Sequence, residues 1–126
     1  MIDALFNDPA YLAGKKMLDA LALRQEAIAS NIANLETPGY RRVDLDQSFK
    51  TELERACASG DAHELATLKP TLAPDSSAVP NSRDGNTVNL ENEMMQLNQN
   101  TLAHSVETQL VSSQLTRLKL AISGHT

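Results

Sequence analysis

The stretch Ser30-Asn31-Ile32-Ala33-Asn34-Leu35-Glu36-Thr37-Pro38-Gly39-Tyr40 decides how this chain is read. It is a helix end followed by a turn. Ala27, Ile28, Ala29, Ile32 and Ala33 still carry a helical apolar face, and Asn34 is a residue type that tolerates the left-handed conformation with which many helices close. Thr37 is biased toward extended backbone by the proline after it, and Pro38-Gly39 suits the centre of a type II turn with Gly39 at positive φ. Tyr40 then follows as an exposed aromatic. A Pro-Gly turn alone marks only a loop. Eleven residues of this composition say more.

Upstream, Asp8-Pro9 starts a helix: the aspartate is a capping residue type and proline suits the first helical position. Leu18, Leu21, Gln25, Ile28, Ile32 and Leu35 then step by three and four, as along a coiled-coil seam with one polar interruption at Gln25. The first helix is expected over residues 9 to 34. Downstream, Asn89 is the expected N-cap of a longer helix running to about residue 122, with Glu91 and Glu93 favouring the positive end of its dipole. Leu90, Met94, Leu97, Thr101, His104, Thr108, Val111, Leu115, Leu118 and Ile122 continue the heptad steps, and Gly124 provides a stop. The centre of that seam is polar, at Thr101, His104 and Thr108.

Between the helices the chain changes character. Residues 44 to 58 suit a short amphipathic helix using Leu45, Phe49, Leu53 and Ala56. Residues 59 to 83, rich in Ser, Pro, Ala and Asp, read as an extended or disordered connector. Pro70, Pro74 and Pro80 forbid a continuous helix there, and Leu65, Leu68 and Leu72 are expected to pack as a short strand-like segment against a neighbour. The expected fold is therefore all-α: two long terminal helices pairing as a coiled-coil-like hairpin, with an extended, irregular middle. Its three parts are residues 1–43, 44–88 and 89–126.

Composition narrows the function. The 126 residues make one domain at most, and 41% hydrophobic content with four aromatics (Phe6, Tyr11, Tyr40, Phe49) does not promise a large enclosed core. A net charge of −5 argues against nucleic acid as a partner. The pairs Lys15-Lys16 and Arg41-Arg42 read as solvated surface. The single cysteine, Cys57, excludes an internal disulfide, and no apolar run is long enough for a membrane span or a cleavable signal. Cys57, His63 and Glu64 are the one close group of potential ligands, short of the set that a zinc site or a catalytic thiol needs. His104 reads as a seam residue satisfied by a neighbouring Thr or Gln, and His125 as a terminus. No catalytic residue, metal or cofactor is expected. Each buried Leu or Ile contributes about 1.5–3 kcal/mol against roughly 1–2 kcal/mol of backbone ordering per residue, so two narrow seams hold a monomer only marginally.

The string Ser-Asn-Ile-Ala-Asn-x-x-Thr-Pro-Gly-Tyr, here residues 30 to 40, closely resembles the N-terminal signature of the bacterial flagellar rod and hook proteins, the axial family. A second string, Asp84-Gly85-Asn86-Thr87-Val88-Asn89-Leu90-Glu91-Asn92-Glu93-Met94, resembles the start of the C-terminal helix in a proximal rod member of that family. Leu118-Lys119-Leu120-Ala121-Ile122 resembles the end of that helix. The resemblance implies a structural subunit that assembles with copies of itself and with related rod proteins, near the membrane ring and the export gate. It implies an assembly motif at Ser30, Asn31, Ile32, Ala33, Asn34, Thr37, Pro38, Gly39 and Tyr40. It also implies a periplasmic destination in the flagellar basal body, reached through the flagellar type III channel without a cleaved signal. Without the resemblance, a soluble helical adaptor that captures a partner helix fits these features almost as well.

Overall fold

The computed structural model describes residues 7–81 and 83–124; His125 lies outside them. The chain is mostly helical. Helix α1 spans Pro9–Ala33, with Pro9 in its first turn and Asp8 in extended backbone before it. The Asp8 side chain makes no capping hydrogen bond; its carbonyl accepts from the Leu12 amide at 2.9 Å, so proline and main chain alone define the start. Strand β1 (Val43–Leu45) leads into helix α2 (Gln47–Ser59), helix α3 (Ala62–Thr67) and strand β2 (Leu72–Pro74). Helix α4, Leu90–Ser123, closes the described chain.

Helix α1 is the central element. Its N-terminal half packs against α2 and α3 through Leu12, Ala20, Phe49, Leu53, Ala56 and Leu65, with Met17, Leu45 and Leu68 at the margin. Another face meets α4, which runs antiparallel: Asn31 lies by Glu93, Leu21 by Asn100, and Gly14 by Glu107 and Val111.

The mostly helical fold is as expected, but the middle of the chain departs from the irregular connector read there. The amphipathic helix is present as α2, burying Phe49, Leu53 and Ala56. Residues 59 to 83, read as extended or disordered, instead contain α3 and β2. Asp61 caps α3 by accepting from the His63 and Glu64 amides at 3.0 and 3.2 Å, and Leu65, expected in a strand-like segment, is fully buried in that helix. Leu72 does lie in a strand, but β2 pairs with β1 of the same chain, in antiparallel register Val43↔Pro74, Asp44↔Ala73, Leu45↔Leu72. Pro74 fits because it needs no amide partner and the Val43 backbone bonds elsewhere, to Asn31. Proline content ruled out one long helix; it did not rule out short elements tied to α1.

Candidate assembly junction

The site grows from the end of α1. Asn31 occupies the last turn of that helix, facing β1, and is fully buried. Its Nδ2 donates to the Val43 carbonyl at 2.9 Å, and its Oδ1 accepts from the Val43 amide at 2.9 Å. One side-chain amide thus serves as the missing neighbour strand on the open edge of β1. Nδ2 also lies 3.3 Å from Oε2 of Glu93.

Past Asn31 the helix closes on local bonds. Asn34 sits at φ −104, ψ 20, outside the left-handed region expected for it. Its amide bonds the Ser30 and Asn31 carbonyls, and its Nδ2 donates back to the Ser30 carbonyl at 2.8 Å, so the side chain satisfies the helix end without a positive φ. Thr37 Oγ1 donates to Asn34 Oδ1 at 3.1 Å. The turn itself is as expected: Gly39 has φ 72, and the Tyr40 amide reaches back to the Thr37 carbonyl at 3.2 Å. Glu36, Thr37, Pro38 and Gly39 are exposed. Tyr40, expected to be exposed, is half-buried; its hydroxyl lies 3.1 Å from Ser30 Oγ and donates to Asn31 Oδ1 at 3.4 Å, folding the ring back over the helix end. Ile32 is half-buried beside it in the helix and Ala33 is exposed.

The second string docks on this turn. Asn86 is buried, and its Nδ2 lies 2.9, 2.9 and 2.8 Å from the carbonyls of Asn34, Leu35 and Thr37. Its Oδ1 accepts from the Val88 amide at 2.8 Å. The Gly39 amide donates to the Asp84 carbonyl at 2.8 Å, the Thr87 amide to the Tyr40 carbonyl at 3.0 Å, and the Arg42 amide to Thr87 Oγ1 at 2.8 Å. Gly85, at φ 80, lies against Gly39. Two stretches some fifty residues apart therefore form one hydrogen-bonded knot.

Beneath the knot is a charged cluster. Arg42 donates to Glu93 Oε1 at 2.7 Å, to Asp44 Oδ2 at 3.2 Å and to Asp75, while Arg24 donates to Asp44 Oδ1 at 2.9 Å and to Gln96. Glu93 is only 1% exposed. Burial works against the Arg42 charge, but hydrogen bonds to Glu93 and Asp75 and the charges of Glu93 and Asp44 outweigh it, holding its pKa above the ordinary arginine value. The Ser77 hydrogen bond, opposed by burial and joined by Arg42, holds the Asp75 carboxyl below its usual range. Arg42 was read as half of a solvated pair; only Arg41 is exposed. Nothing in the local sequence separates the two arginines, since the partners of Arg42 come from β1, the loop after β2, and α4.

Along α4 the side chains proposed for the seam divide. Leu97, Val111 and Leu118 are half-buried, Val111 against Gly14 of α1, whereas Leu90, Met94, Leu115 and Ile122 are exposed in the single chain. On α1, Leu21 and Ile28 are buried, Leu18 and Ile32 half-buried, and Leu35 lies past the helix in the turn. Thr101 and Thr108 are exposed, their hydroxyls donating to the Leu97 and His104 carbonyls one turn back; His104 is exposed too. The residues facing α1 include polar Glu93, Asn100 and Glu107, and Oε1 of Gln114 is buried. Cys57 is exposed and Glu64 pairs with Arg55 at 2.8 Å; among the described residues no three His, Cys, Asp or Glu side chains gather as a metal site would require. Among them, too, no helix is long and apolar enough to cross a membrane.

Comparison with known proteins agrees with the junction. Residues 18–41, the second half of α1 with its turn, match the family model described as "Flagella basal body rod protein". The flagellar basal body rod protein FlgB of Escherichia coli K12 is 34% identical over 131 aligned positions, covering 91% of this chain and 92% of the relative. That of Salmonella typhimurium is 32% identical over 144 positions, covering 98% and 99%. That of Borrelia hermsii is 30% identical over 125 positions, covering 85% and 90%. With both strings knotted into one junction and relatives matched along nearly their whole length, the chain belongs to the FlgB family of flagellar basal body rod proteins.

Proposed function

We propose that this chain is a structural, non-catalytic subunit of the proximal flagellar rod, polymerising with copies of itself and with related rod proteins into the shaft that transmits torque and encloses the export channel. Helices α1 and α4 are its coiled-coil-like hairpin, lining the inner layer. The turn at residues 37–40 reaches outward to adjacent subunits. The membrane ring and the export gate are its neighbours at the rod base. It reaches the periplasm through the flagellar type III channel without a cleaved signal.

The observation that carries this reading is the knot between residues 30–43 and 84–93. It holds the N-terminal and C-terminal helices at a set geometry while Glu36 to Gly39 protrude. Along α4, Met94, Leu102, Val106, Leu110, Leu120 and Ile122 stay exposed on the monomer, apolar area that side-by-side stacking of copies covers.

The test is to isolate basal bodies in detergent from the organism that encodes the chain and to quantify their proteins by mass spectrometry. A fixed ratio to the other rod proteins is the expected result. Recovery only in the soluble fraction would overturn the reading in favour of a helical adaptor.

A further inference from the structure

Part of the apolar surface of α4 does not face α1. Met94, Leu115 and Ile122, one line at multiples of seven, are exposed, while Glu93, Asn100 and Glu107 lie against α1. Residues 93, 100 and 107 are spaced by seven, so one polar line runs along about four turns of contact. At 3.6 residues per turn, a contact centred on this line and on Val111 is rotated by about 70° from one centred on the apolar line. Burial alone would favour the apolar orientation. Some group must hold the helix against that preference.

The junction pins α4 at Glu93, in its first turn. Farther along, Asn100 is 2% exposed, and its Nδ2 donates to the Leu21 carbonyl at 3.0 Å and to Gln25 Oε1 at 2.8 Å. The Leu21 carbonyl is main chain inside α1, so this bond fixes a direction and not merely a neighbourhood. Oδ1 of Asn100 is buried and has no partner among the described residues. An amide half-satisfied in this way contributes little net stability, and a leucine would bury more apolar area. What the amide adds is orientation, as a single buried asparagine does in other paired helices.

We infer that Asn100 is a positioning residue that sets the rotation of α4 about its own axis, turning a polar line toward α1 and keeping the apolar line of Met94, Leu115 and Ile122 outward. The inference stands on the geometry of the single chain and goes beyond the proposed rod role.

The experiment uses the dilute full chain with Cys57→Ser and one reporter at a time beyond the pinned first turn, Thr108→Cys on the exposed side or Glu107→Cys on the α1 side, with and without Asn100→Leu. Labelling rates with a soluble maleimide report which line faces outward, and circular dichroism reports helicity. In the Asn100 chain, the cysteine at 108 labels faster than that at 107. With Asn100→Leu, helicity is kept and the order reverses. An unchanged order would overturn the inference. So would loss of helicity, because Asn100 would then serve stability instead of orientation.

Discussion

The junction and the far half of α4 share a chain and a helix, yet they are built on opposite terms. Around residues 30–43 and 84–93, buried polar groups bond to one another and to main chain: Asn31 completes a strand edge, Asn86 gathers three carbonyls, and Glu93 sits inside on Arg42. Beyond Asn100 the helix presents Leu102, Val106, Leu110 and Leu120 to solvent, and its hydroxyls merely bond back to their own helix. Directional bonds hold one conformation because nearly every alternative strands a buried donor or acceptor. Exposed apolar area favours no conformation of the monomer and leaves its stabilisation to be gained elsewhere. A subunit that must keep one shape at its joint and gain adhesion along its shaft needs both.

The contrast can be broken at the joint first. Arg42→Met leaves Glu93 buried without its cation, and urea denaturation should show a loss of about 3–5 kcal/mol; a loss under 1 kcal/mol would mean that the cluster contributes little. Asn86→Ala releases the carbonyls of Asn34, Leu35 and Thr37 and should cost about 2 kcal/mol in the same measurement, part of it recovered by water at the exposed turn. It should also raise amide exchange at Gly39 and Thr87, whose donors lie in the knot.

A smaller effect sharpens the comparison at the α1–α4 crossing. A Cβ at Gly14 would lie 2.7 Å from Cγ2 of Val111 and 3.2 Å from Oε1 of Glu107. Gly14→Ala raises helix propensity by about 1 kcal/mol but overpacks a stiff β-branched neighbour at a cost of roughly 1–3 kcal/mol, so a net loss near 1 kcal/mol in thermal unfolding is expected. Adding Val111→Ala should turn the alanine at 14 from destabilising to stabilising, and a cycle with no such coupling would place the crossing elsewhere. The smallest effect belongs to the shaft. Leu102→Ser should move monomer stability by no more than about 0.5 kcal/mol, because the side chain is 67% exposed. Sedimentation or basal-body incorporation should show its consequence instead.

Much of the joint was legible before any coordinates. Local rules placed the Pro38-Gly39 turn, the positive φ of Gly39, the Asn89 cap and the amphipathic helix around Phe49, because each depends on residues within a turn or two of itself. Both strings singled out in the sequence, 30–40 and 84–94, proved to be the two faces of one knot. The same local rules misplaced what depends on distant partners. Asn34 closes its helix with a side-chain bond instead of a left-handed backbone, Tyr40 turns inward onto Ser30 and Asn31, and Arg42 is drawn from the surface by Glu93, fifty-one positions away.

The sequence by itself determined where the two long helices start and stop, that a turn follows Asn34, that no cysteine pair braces the fold, and to which family the turn belongs. Those outcomes follow from backbone sterics, capping chemistry and periodicity, which act over a few residues. Only the tertiary structure decided which face of α4 meets α1, that residues 62–67 and 72–74 fold against α1 and β1, and which charges are buried. These depend on bonds between residues twenty to eighty positions apart, such as Arg24 with Asp44 and Asn100 with Leu21. A heptad pattern states how much apolar surface a helix has; the directional partners of Glu93 and Asn100 decide which way it turns.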